Sequence, residues 1–384
     1  MIDFHTVIGA NAGDEGKAVI TAQIAANSLN NVLNVLTNGG AQRGHTVVFE
    51  DGDKLVKKIN KHFGSATYLH AANYFSSSFI LDPMQFRVEY ESYDAYFNFG
   101  YFYRHPNCRW VTPFDIMANQ AEAKARGVHN TCGMGIWKTV QRFANSHYVM
   151  TLDEFIALDF DKRIEYLKDI AKSYKPEMMR YNQKEYDIFF NDETIQMDLI
   201  FHFISDCEFM HMNTILVDDD FFKLDKKFDT IICENGQGLA IGDDGTDDTQ
   251  KTPTKTGLAA LPKEFENYLH ENHITNNIHY VSRTYETRHG DDITFDEMDA
   301  KYISSYIKED TDNHFNMWQG SFKYAPLDVG KLNERIAKDL KGYNKSMIVN
   351  LDLTHCDEVG PEGIICPFAH NTIYRGSPIV KIEK

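Results

Sequence analysis

Residues His5–Ala10 read as a short buried strand. The strand runs into a glycine-rich turn, Gly9-Ala10-Asn11-Ala12-Gly13-Asp14-Glu15-Gly16-Lys17. From Gly16 to Leu29 the spacing changes to that of a helix, with Val19, Ile20, Ile24 and Ala25 on one face. A strand handed to a helix through glycine is the start of a crossover, and crossovers join parallel strands. Further strand-like runs at Asn31–Leu36, Ser78–Leu81, Thr230–Cys233, Ile278–Ser282 and Met347–Leu353 alternate with helical or irregular spans. The chain is therefore predicted to be α/β, with a large mostly parallel sheet flanked by helices. Thr46–Phe49, turning at Asp51-Gly52 into Lys54-Leu55-Val56, predicts an inserted hairpin. Residues 152–222 carry aromatics at helical spacing and predict a helical subdomain within a single 1–384 domain. The polar stretch 243–256 predicts a long functional loop.

Bulk properties exclude several function classes. No apolar run approaches the roughly 20 residues of a membrane span, and the N-terminus has no basic flank followed by an apolar core. A soluble, cytoplasmic chain is expected. The formal net charge of −17 opposes broad contact with a nucleic-acid backbone, so any phosphate must be held locally. The 6 cysteines form no C-x-x-C pair, which predicts reduced thiols rather than a zinc knuckle or disulfide framework.

The first turn differs from a Walker A loop, because Asn11 and Ala18 stand where that pattern needs Gly and Ser or Thr. It still offers backbone N–H donors at a helix start, and Lys17 adds a point charge suited to phosphate. Asp14 would repel a phosphate unless a metal bridged them or it handled a proton. A second turn, Gly39-Gly40-Ala41-Gln42-Arg43-Gly44-His45-Thr46, ends in a histidine that can donate to a phosphoryl oxygen or serve a purely structural role.

The two turns together resemble the adenylosuccinate synthetase family, which carries G-D-E-G-K and then G-x-x-x-G-H-T in this order. Further echoes follow in sequence: Leu81-Asp82-Pro83, Val111-Thr112-Pro113-Phe114-Asp115, Asn130-Thr131-Cys132-Gly133-Met134-Gly135 and Glu234-Asn235-Gly236-Gln237-Gly238. Thr287-Arg288-His289-Gly290, Trp318-Gln319-Gly320-Ser321-Phe322-Lys323 and Thr354-His355-Cys356-Asp357 complete them. The Trp-Gln-Gly-Ser stretch looks most like the compact archaeal and phage branch.

The resemblance implies a P-loop-NTPase-like fold and a two-step ligase reaction. The γ-phosphoryl group of a triphosphate moves to the purine 6-oxygen, and L-aspartate then displaces phosphate from carbon 6. By this resemblance Asp14 takes the purine N1 proton and binds Mg2+ together with the Gly44 carbonyl. His45 hydrogen-bonds the 6-oxygen, while Gly13, Glu15, Gly16, Lys17, Gly44 and Thr46 surround the triphosphate. Asn130, Thr131, Gly133 and Gln237 hold the purine monophosphate, joined by Thr252 or Thr254. Arg142 is the candidate for an arginine reaching the phosphate of a partner subunit in a homodimer. Arg288, Gly320, Ser321 and Lys323 receive the carboxylates of aspartate, and Asp357 reads guanine, which favours GTP over ATP. Asp14 favours IMP as acceptor. Asn11, Ala12, Val19 and Gln42 depart from the family pattern and keep dGMP, the acceptor of phage 2-aminoadenylosuccinate synthetases, as the alternative. A nucleotide-binding regulator without catalysis is the second alternative.

Overall fold

The computed structural model describes residues 2–28, 31–51, 53–93, 97–126, 131–181, 183–223, 227–242, 252–290, 295–308, 310, 313, 315, 317–376 and 379–381. At its centre lies a nine-stranded sheet. Across the sheet the strands run Asn371–Tyr374, Met347–Thr354, Asn276–Arg283, Asp3–Gly9, Thr230–Gly238, Val32–Leu36, Ala72–Phe75, Phe102–Arg104 and Ile215–Leu216. Its ladders are parallel throughout. Parallel sheets are covered on both faces, so their strands lack a solvent side; Val32–Leu36 is buried at every position.

The expected strand at 78–81 lies elsewhere. Only Ile80–Leu81 is extended, and it pairs with Arg109–Trp110 in a small separate ladder. The expected hairpin is present as His45–Asp51 against Lys54–Asn60, with Ile379–Lys381 added in parallel beside it; Gly52 at its turn is outside the described residues. A second antiparallel ribbon, Tyr285–His289 against Phe322–Pro326, has no counterpart in the sequence expectations. The first helix is Lys17–Asn27, and the expected continuation to Leu29 is outside the described residues.

The middle of the chain folds as helices Leu152–Ala157, Phe160–Tyr181, Gln183–Asn191 and Glu193–Met212. They share one apolar core with the sheet, in which Leu167, Ile170, Phe203 and Met210 meet Leu36, Phe75, Phe102 and Trp110. Trp110 stacks on Phe203 with ring centroids 5.8 Å apart. The helical run stops ten residues before 222. Asn213 ends the last helix, and Ile215–Leu216 then fills the open edge offered by Phe102–Arg104. Phe221 and Phe222 pack with Phe4, Tyr74 and Phe265 under the main sheet. No described helix is long and apolar enough to cross a membrane, and all 6 cysteines are free thiols.

Because the strands are parallel, the chain leaves Gly9, Leu36, Gly238, Arg283 and Thr354 on the same edge of the sheet. Ligands of open parallel sheets bind at that carboxyl edge.

Candidate active site

The first turn is built around its own glutamate. The buried Glu15 carboxylate accepts from the Asn11 N–H at 3.1 Å and from the Lys17 ammonium at 2.6 Å. Only glycine fits at two neighbouring positions. A Cβ on Gly9 would stand 2.5 Å from Glu15 Oε2, and one on Gly238 would stand 2.0 Å from the Asn11 carbonyl oxygen. Thr354 Oγ1 donates to the Glu15 carbonyl at 2.8 Å, which ties the turn to a third strand end. Burial pushes the Glu15 carboxyl up, but Lys17 overrides it and holds it below its ordinary value. Lys17 is thus not the simple free charge the sequence suggests, because its ammonium is shared with Glu15. Gly16, at φ 97°, caps the first helix, and no side chain among the described residues caps it with a hydrogen bond. The helix start is left open for an anion.

Asp14 sits in the left-handed region at φ 58°. Arg283 Nε donates to its main-chain oxygen at 2.6 Å, and Asn313 Nδ2 donates to Oδ1 at 3.4 Å. Burial raises its carboxyl above the usual range; His289 and Arg283 oppose that, while Glu15 and Asp310 reinforce it. A carboxylate made more basic in this way is a better proton acceptor.

His45 begins the hairpin and is buried. Its Nδ1 is hydrogen-bonded to Glu234 Oε1, and its Nε2 has no partner among the described residues. Burial drives the imidazole down to about 4, with Glu234 opposing and Arg43 adding to the fall. Glu234 is fully buried. Despite that burial, His45, Arg43 and Ser65 hold its carboxyl far below the ordinary range. The resting pair is therefore a carboxylate accepting from Nδ1–H of a neutral imidazole, with the Nε2 lone pair left over.

Both turns line one cavity of about 1590 Å³. Gly13, Asp14, Glu15, Gly16 and Lys17 form part of its wall, and Gly44, His45 and Thr46 form another part. Among the described residues no group of three or more His, Cys, Asp or Glu is arranged to hold a metal. Magnesium carried in on a triphosphate keeps several waters and needs only one or two protein carboxylates. Asp14, which carries one carboxylate, lies on the wall with Gly44 and fits that demand.

The adenylosuccinate synthetase family model matches residues 6–353. This chain belongs to the adenylosuccinate synthetase family. It is therefore a C–N ligase of purine biosynthesis. No curated protein sequence matches it. The fold is similar to that of fully ligated adenylosuccinate synthetase from Plasmodium falciparum, with TM-score 0.67 and 18% identity over 92% of this chain and 77% of the other. It is also similar to succinoaminodeoxyadenylate synthetase of cyanophage S-2L bound to dGMP and dATP, with TM-score 0.64 and 12% identity over 97% and 91%.

The remaining candidates of this adenylosuccinate synthetase family member divide by position. Thr131, Gly133, Gln237, Thr252 and Arg288 line the same cavity. Thr252 Oγ1 lies 3.1 Å from Thr254 Oγ1, but Thr254 stands behind it, away from the wall. Gly133, at φ 71°, lies under the Trp318 ring, where a Cβ would approach to 2.9 Å. Asn130 is outside the described residues, as is 243–251 of the expected functional loop.

Arg142 requires a correction. It is buried, pairs with Asp115 at 2.9 Å, and donates to the carbonyls of Trp110 at 2.7 Å and Tyr148 at 2.8 Å. A guanidinium saturated inside its own subunit does not reach a phosphate in another. Lys323 faces Arg288 across the ribbon but pairs with Glu297 at 3.1 Å, and neither it nor Gly320 nor Ser321 is part of the cavity wall. Asp357 is also off the wall, 3.5 Å from Lys308, whose side chain does line the cavity. Asn11 turns from the cavity to Ser282 at 2.8 Å and Arg335 at 2.7 Å, whereas Ala12, Val19 and Gln42 line it.

Glu234, Arg283, His289 and Asn313 were absent from the sequence-derived candidates. A signal existed for one of them: Glu234 directly follows the apolar run Ile231-Ile232-Cys233 in its strand, where a buried carboxylate is tolerated only with partners.

Proposed function

We propose that this ligase joins L-aspartate to carbon 6 of IMP with consumption of GTP, giving adenylosuccinate, GDP and phosphate. The observation that carries the reading is that Asp14 and His45, from turns after two different strands, wall one cavity beside an uncapped helix start. In the first step Asp14 accepts the purine N1 proton, and the electrons released make oxygen 6 the nucleophile toward the γ-phosphorus. Neutral His45 cannot donate from Nε2. Negative charge arriving with the triphosphate raises the imidazole's proton affinity, and Glu234 stabilises the resulting imidazolium, whose Nε2–H then donates to the oxygen being phosphorylated. In the second step the aspartate amine attacks carbon 6, and the 6-oxygen leaves as part of phosphate. Asp14 and the Gly44 carbonyl would hold magnesium, which when bound would neutralise charge on the phosphates. Thr131, Gly133, Gln237 and Thr252 receive the purine monophosphate, and Arg288 receives an aspartate carboxylate. The homodimer implied by the family would need a cross-subunit cation other than Arg142.

The small Ala12 side chain on the wall favours dGMP as a second acceptor. The test is a matrix of IMP and dGMP against GTP and ATP, with L-aspartate and magnesium, followed by chromatography of the products. Adenylosuccinate from IMP and GTP at the highest rate supports the proposal. Turnover of dGMP alone replaces the acceptor, and nucleotide binding without phosphate release in any combination leaves a binding protein.

A further inference from the structure

We propose that Arg283 is a positioning residue of the reaction: its fork holds the Asp14 peptide in its left-handed conformation and fastens it to Asp310. The inference rests on the role given to Asp14 above. Arg283 ends the strand Asn276–Arg283 and is 7% exposed. Its three nitrogens point in three directions. Nε donates to the Asp14 main-chain oxygen at 2.6 Å, Nη1 to Tyr285 OH at 3.0 Å, and Nη2 to Asp310 Oδ2 at 3.2 Å.

Each partner is itself fixed. Tyr285 OH donates to Glu358 Oε2 at 2.6 Å, so the fork is braced from the end of the strand Met347–Thr354. Asn313 Nδ2 donates to Asp310 Oδ2 at 3.0 Å and to Asp14 Oδ1 at 3.4 Å, while Asn313 Oδ1 lies 3.1 Å from His289 Nε2. The result is a closed set of contacts around one carboxylate. A left-handed φ carries a cost for a residue with a Cβ, smaller for Asp than for most, and a bond to its carbonyl keeps Asp14 at φ 58°. Arg283 supplies that bond. Arg283 therefore acts by geometry through its fork, and lysine, which keeps the charge, cannot reproduce the three separate contacts.

The experiment compares wild type with Arg283→Lys and Arg283→Met in the ligase assay, alongside thermal melting and the affinity for magnesium–GTP. Arg283→Met is expected to lower kcat roughly 100-fold, as misplacement of a reacting group does, with the KM for L-aspartate little changed. Arg283→Lys keeps the charge but loses the fork, and should still lower kcat at least roughly tenfold. Full kcat in Arg283→Lys overturns the positioning role even if Arg283→Met fails to fold. A loss confined to the KM for L-aspartate, with kcat kept, overturns it too. If wild type binds GTP without turnover, the ligase reading fails; weaker magnesium–GTP affinity in folded Arg283→Lys then still supports the hold of Arg283 on Asp14, and unchanged affinity overturns it.

Discussion

Replacing Glu234 by glutamine keeps the volume of a fully buried side chain and removes one negative charge next to His45. In the proposed mechanism that charge stabilises an imidazolium formed when the triphosphate binds. Two unit charges about 4 Å apart at an effective dielectric of about 20 interact by about 4 kcal/mol. Removed from the state in which Nε2–H donates, that amount is worth roughly three decades in rate. Glutamine has one acceptor oxygen, so it can still accept from Nδ1–H at the Oε1 position and returns part of the loss, while its NH2 then faces the Ser65 N–H that Oε2 accepted at 3.1 Å. We therefore expect kcat to fall roughly 100-fold to 1000-fold, with the KM for aspartate little changed because Glu234 does not face that substrate. Phosphate release under saturating IMP, GTP and aspartate measures it. A Glu234→Gln enzyme within threefold of wild-type kcat would refute the imidazolium argument, and His45 would then be an uncharged acceptor or a structural residue.

Three further outcomes follow. His355, at φ 59°, has its imidazole pushed down to about 3 by burial and by Arg283. The unfolded chain thus binds its proton more readily, and this group's contribution to stability is complete above about 6.5 and lost as pH falls toward 3; His355→Asn, tolerated in the left-handed region, should flatten the denaturant midpoint against pH across that window. Gly133→Ala should raise the KM for the purine monophosphate while costing about 1–2 kcal/mol in stability, because the new Cβ is strained at φ 71° and presses on Trp318; steady-state kinetics and chemical denaturation check it. Arg142→Met should cost about 3–5 kcal/mol by leaving Asp115 buried without its cation, yet leave the monophosphate KM of the folded fraction unchanged.

Two strands of the main sheet were legible because Val32–Leu36 and Met347–Thr354 are dense in branched apolar residues. Ala72–Phe75 and Phe102–Arg104 were not. They are short, and each buries a polar residue satisfied by tertiary partners: Asn73 accepts from the Gly64 N–H at 2.7 Å, and Arg104 pairs with the distant Asp153 and donates to Thr214 at 2.8 Å. The first glycine turn announced itself through its spacing, since close approach at Gly9 and a left-handed cap at Gly16 demand that residue locally. Glu234 and Arg283 meet the two turns only after the strands assemble, so their purpose is a product of sheet order. Arg142 misled for the converse reason: position near a phosphate-type loop says nothing of which way a side chain points.

The most direct test of the account follows the purine oxygen. IMP labelled with 18O at position 6, turned over with L-aspartate and unlabelled GTP, should release phosphate in which each ion carries one labelled oxygen, read by mass spectrometry. Adenylosuccinate formed with unlabelled phosphate would contradict phosphorylation of that oxygen, and with it the roles assigned to Asp14 and His45.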